Sequence, residues 1–119
     1  MTTEQQRKML EAAAKACGIT GAWQEGFGIC VIGDYLKDPG EQVKFWNPLT
    51  NPGDTAEMCA KLDIGVTYHS ALGFLVCRKS IDVAAVAHYK DHDNSRLKAW
   101  MYAATMVAAK IGGYENAHP

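Results

Sequence analysis

His88 and His92 stand four residues apart, the spacing that places two imidazoles on one face of a helix as a metal-binding pair requires. No H-E-x-x-H motif surrounds them, and Lys90, Asp91 and Asp93 read as a solvated loop in which a third and fourth ligand are not identifiable. His69 lies beside a predicted turn and has no evident partner. The cysteines Cys17, Cys30, Cys59 and Cys77 fall one per predicted element, with no C-x-x-C pair. That is the pattern of small buried hydrophobes in a reducing compartment. A cysteine nucleophile would need a histidine base and an activating charge. Only Cys77 has a cation beside it, Arg78, and neighbours in a strand point to opposite faces. Ser70 and Ser80 lack a G-x-S-x-G context, and no G-x-G-x-x-G or G-x-x-x-x-G-K-[ST] run occurs. No triad, metal centre or phosphate cradle can be assembled, so the expectation is a non-enzymatic protein with no metal and no cofactor.

The elements that position these residues come from a chain with room for one domain. At 119 residues it is expected to form a single α/β sandwich over 1–119, with 113–119 as a frayed tail. A hydrophobic fraction of 48% and a charged fraction of 21% are those of a globular protein. The 12 Lys and Arg against 13 Asp and Glu leave a net charge of −1, without the basic excess that displaces counterions from phosphates. Nucleic acid is therefore not expected as the main ligand. No run approaches the roughly 20 apolar residues of a membrane helix, and the opening Met1-Thr2-Thr3-Glu4-Gln5-Gln6 is unlike a signal peptide. The expected location is the cytoplasm, away from membranes.

Along the chain, Thr3-x-x-Gln6 reads as a capping box, followed by Met9, Leu10, Ala13, Ala14 and Cys17 at helical spacing and a stop at Gly18. Residues 22–25 and 28–32 read as strands joined by a bend at Gly26-Phe27-Gly28, and 33–40 as turn-rich. Residues 42–46 alternate as a half-buried strand with Val43 and Phe45 inward. Asn51 then caps a short helix that has Pro52 in its first turn, Thr55, Cys59 and Leu62 on one face, and Asp63 and Gly65 at its end. Residues 66–69 and 74–77 form a strand pair, and 81–86 is open between strand and loop. A last helix, capped by Asp93, Asn94 or Ser95, carries a stripe of Leu97, Trp100, Met101, Ala104, Val107, Ala108 and Ile111 and stops at Gly112-Gly113. The predicted class is α+β: a largely antiparallel sheet of about four to five strands covered by an N-terminal helix, a short central helix and a long C-terminal helix.

The candidate binding segment is Trp46, Asn47, Asn51 and Asp54. The phase of its strand turns Trp46 away from Val43 and Phe45, toward a covering helix or toward solvent, and an exposed tryptophan marks a binding surface. The helix start after Asn51 offers backbone donors to an anion, which Asp54 would repel. The run from Phe45-Trp46-Asn47-Pro48 through Asp54-Thr55-Ala56 to Leu62 resembles the phage ABA-sandwich domain proteins of the NinX-like group. An N-terminal helix ending near Gly18, the following Trp23, and an Ala-rich final helix closing on Ile111-Gly112 agree with that resemblance. It implies an α/β sandwich encoded by a bacteriophage or prophage and made in the bacterial cytoplasm, with no reaction, cofactor or substrate attached. By analogy with small phage proteins, the expected activity is binding a host or phage protein, as in host takeover or inhibition of a defence system. Self-association through a sheet edge or an apolar helix face is a further expectation. The alternative is a small-ligand or nucleotide-binding domain that uses the 46–54 segment.

Overall fold

The computed structural model describes residues 1–31 and 44–115; the predicted turn-rich stretch 33–40, Val43 and the last residues of the tail lie outside them. Helix α1 (Thr3–Ala16) begins one residue earlier than the motif suggested. Its capping box is Thr2 with Gln5: Thr2 Oγ1 accepts from the Gln5 N–H at 3.1 Å, and Gln5 Oε1 accepts from the Thr2 N–H at 2.8 Å. Two overlapping S/T-x-x-Q registers fit the sequence, and the helix takes the earlier one. Gly18 follows the C-cap with φ at +71°, a left-handed turn that suits a residue without Cβ.

Strands β1 (Gly21–Gln24) and β2 (Gly28–Val31) form a hairpin through Gly26 and Gly28, and β3 (Phe45–Trp46) pairs on the other side of β2. Helix α2 (Pro52–Leu62) is followed by β4 (Gly65–His69), β5 (Phe74–Arg78) and β6 (Ala84–His88), then by α3 (Arg96–Ile111). The class is α+β, with three α-helices and six antiparallel strands in two sheets among the described residues, ordered β1-β2-β3 and β4-β5-β6. The strands divide in two because α2 interrupts them between β3 and β4, and short connections pair sequence neighbours. The ambiguous stretch after Ile81 becomes a strand from Ala84 onward.

Helix α3 is the centre of the molecule. Ala99, Ala103, Ala104, Val107, Ala108 and Ala109 are fully buried, and α1, α2, β5 and β6 all pack on it. Its alanines let neighbours approach closely. At its end, a Cβ on Gly112 would collide with the backbone carbonyl of Ala12 in α1. The apolar stripe is narrower at both ends than its period suggests: Leu97 is 50% and Ile111 38% exposed, because the packed partners stop short of them. Trp100 is half-buried against the core rather than inside it.

The phase expected for β3 is reversed. Pairing of Ile29 with Trp46 puts Trp46 on the same face as Ile29 and Val31, where it is buried. Phe45 points outward and stacks on Phe27, with ring centroids 5.0 Å apart. Among the described residues no helix is long and apolar enough to cross a membrane.

Candidate functional site

In the second sheet β5 and β6 have one dry face and one wet one, whereas on β4 Val66 and Tyr68, in register with the inward residues, are exposed. Leu75, Cys77, Ala85 and Ala87 alternate inward and are buried against α3. The outward set is Thr67 and His69 on β4, Phe74, Val76 and Arg78 on β5, and Val86 and His88 on β6. Phe74 lies between two imidazoles, 4.8 Å from the His69 ring in a stacked pair and 5.7 Å from the tilted His88 ring. Val76 and Val86 lie across from one another in the next row, with Val86 51% exposed. The centre of this water-facing surface is therefore aromatic and aliphatic.

The ladder also fixes which backbone groups reach the free edge of β6. Lys79 N–H donates to Val83 O at 2.9 Å, and Tyr89 N–H donates to Gly73 O at 2.9 Å. In that register Ala85 and Ala87 bond β5, while Ala84, Val86 and His88 direct N–H and C=O away from it. Lys110, on α3, donates its ammonium to Ala84 O at 2.7 Å and closes that end of the edge.

The remaining part of the edge, 86–88, borders a cleft of about 730 Å³. The start of α1 near Gln6, the turn at Leu49, and Met101 and Tyr102 of α3 supply its other walls. Of these, Met101 is buried and Tyr102 half-buried. The 3₁₀ turn Tyr89–His92 closes one end. There His92 packs on the Tyr102 ring at 4.8 Å, and burial lowers its pKa below the ordinary value, although Asp91 and Asp93 pull the other way. Burial also raises the Tyr102 hydroxyl, helped by Tyr114 nearby. Asp93 pairs with Lys98 at 2.7 Å, which holds its carboxyl below the usual range.

His88 and His92 thus border one cleft from different elements, a strand end and a 3₁₀ turn, rather than from one helical face. Among the described residues no group of three His, Cys, Asp or Glu is placed to hold a metal ion. His69 does have a partner that sequence reading missed, the Phe74 ring. The thiols are free, and burial pushes Cys59 up to about 11 and Cys77 up to about 12. Thiols so shifted are protonated at neutral pH and are weak nucleophiles.

The 46–54 segment is a folded cap. Asn51 Oδ1 accepts from the N–H groups of Gly53 and Asp54 at 2.9 and 3.2 Å, as an N-cap does. Asp54 Oδ2 accepts from Asn47 N–H at 3.0 Å, and Asn47 Oδ1 accepts from Leu49 N–H at 3.1 Å. Buried Thr55 Oγ1 donates to Pro48 O at 2.7 Å. Trp46 is 4% exposed. These bonds serve the start of α2, and the backbone donors offered to an anion are already engaged by Asn51. The cleft beside β6 carries no motif. Its only trace in the chain is the run Ala84-Ala85-Val86-Ala87-His88, small residues alternating with larger outward ones. No family model matches the chain, and neither does any curated protein or solved structure.

Proposed function

We propose that this chain is a non-catalytic binding module that recognises a macromolecule, a host or phage protein, through its second sheet. The observation that carries this reading is the outer face of β4, β5 and β6. A sheet with one face in the core ordinarily turns polar residues to water, whereas half-buried Phe74 and Val76 and exposed Val86 occupy the middle of the wet face here. Contiguous apolar surface exposed on a soluble protein marks an interaction site more often than chance. The net charge of −1 favours a protein partner over nucleic acid. Protonated thiols, and a His92 packed on Tyr102 rather than set against a nucleophile, favour binding over chemistry. Service to a phage or prophage in a bacterial cytoplasm is part of the proposal and rests on the resemblance in the segment from Trp46 to Leu62.

The test compares the parent chain with Val86→Lys and Phe74→Ser, each tagged and purified from expressing bacteria. Val86→Lys changes an exposed side chain and should leave the fold intact. The expected result is one stoichiometric protein recovered by the parent and lost from both variants. Recovery of the same protein by all three, or of none on repetition, counts against the reading.

A further inference from the structure

The open part of the β6 edge has its own chemistry, distinct from the face beside it. We propose that residues 86–88 accept an extended peptide segment of a partner protein as a fourth strand of the second sheet, with an apolar side chain lowered into the cleft over Met101 and Tyr102 and a basic side chain against Asp91. This rests on the reading of the chain as a binding module and adds the occupant.

Val86 presents its N–H and C=O outward and His88 its N–H, in the plane and at the spacing that a neighbouring strand satisfies, while the His88 carbonyl begins the 3₁₀ turn Tyr89–His92. Natural sheets blunt such edges, often with lysine. Lys110 does so at Ala84 O and stops there. The cleft borders the same stretch that Lys110 leaves open, so backbone groups coincide with a recess of mixed lining that has Leu49, Met101 and Tyr102 among its walls. Successive residues of an added strand would alternate between the outer face, beside Val86 and His88, and the recess above Met101. The recess is walled by the start of α1 and the Leu49 turn, which admits a single chain more readily than the sheet edge of a second whole domain. At its acidic end Asp93 is already paired with Lys98, whereas Asp91 makes no ion pair among the described residues. A Lys or Arg in the peptide would supply one.

The experiment pans a displayed library of random heptapeptides against the full chain, then measures enriched synthetic peptides against Val86→Pro and Asp91→Lys. Proline at Val86 removes an outward N–H that the sheet does not use, so the fold survives while the edge loses a donor. Circular dichroism of each variant checks this. Enriched peptides should alternate apolar residues and carry Lys or Arg. They should bind Val86→Pro at least about tenfold more weakly and Asp91→Lys a few-fold more weakly. Amide exchange at Val86 and His88 should slow on binding.

Absence of enrichment over an unrelated protein, or equal binding to Val86→Pro, overturns the proposal. Self-association that Val86→Pro abolishes overturns the peptide in favour of a second copy. If Val86→Pro still recovers a partner that Val86→Lys loses, the edge site fails while the binding module stands.

Discussion

Replacing Thr55 with valine should cost far more stability than the same change at Thr105, although both hydroxyls are fully buried and both donate to a backbone carbonyl. The difference lies in what each acceptor has left. Thr55 Oγ1 donates to Pro48 O at 2.7 Å and to Asn51 O at 3.1 Å. Asn51 O also accepts the Thr55 N–H at 3.1 Å, so it stays satisfied in the variant. Pro48 O sits in a turn and has no other donor among the described residues. Stranding a buried carbonyl costs about 1–3 kcal/mol. Thr105 Oγ1 donates to Met101 O at 2.6 Å, but that carbonyl lies one helical turn back and already accepts an N–H inside α3. Its loss should cost about 0.5 kcal/mol or less. Urea unfolding separates the two. With a slope of about 2 kcal/mol/M, Thr55→Val should lower the midpoint by about 1 M, and Thr105→Val by a few tenths. Equal midpoints at unchanged slope, or a larger loss at Thr105, would refute the idea that the 46–54 segment is held as a cap by the Thr55 hydroxyl.

Gly112→Ala should loosen the α1–α3 contact by about 1–3 kcal/mol, because the new methyl meets the Ala12 carbonyl. Gly65→Ala, which meets nothing nearby, should leave the melting temperature within about 3 °C of the parent. Stability should fall as pH rises through 9.0, the ordinary thiol value, toward the raised value of about 12 at Cys77. In that window the unfolded chain has released a proton that the native state still holds, so the slope of stability against pH is negative. Cys77→Ala should flatten the slope measured by urea midpoints between about pH 8 and about 10.5. An unchanged slope would assign the alkaline loss to other groups.

Much of this architecture could be anticipated wherever a local rule and the tertiary packing agree. Asn51 and Pro52 start a helix by capping chemistry alone, and glycines at 26 and 28 turn a hairpin by their freedom at positive φ. The failures arise where pairing decides. A strand of two residues has no periodicity to set its phase, so the partner Ile29, not Phe45 or Trp46 itself, determines which ring is buried. Leu97 and Ile111 continue a helical pattern past the point where neighbours exist to cover them. The second sheet was legible in part: 74–77 is a continuous apolar run that reads as a strand, but Ala84, Ala85 and Ala87 have little strand preference and are held in one by β5 and α3. The cleft is walled by residues from β6, α1, the Leu49 turn and α3 that lie far apart in the chain, which leaves no motif to recognise. In the 46–54 run the side chains of Asn47, Asn51 and Asp54 are engaged in turn and capping bonds at the start of α2.

The alanine-lined helix α3 has a consequence for how the molecule comes to exist. Helix α1 finds its main support on α3, some ninety positions away, while the second sheet stands on α3 and the first sheet on α1. Contacts of such long sequence separation must close a large loop before they return any stabilisation, which slows folding and makes it all-or-none. A protease nick between β6 and α3 would therefore release no durable fragment, since neither piece retains the surface on which it was built.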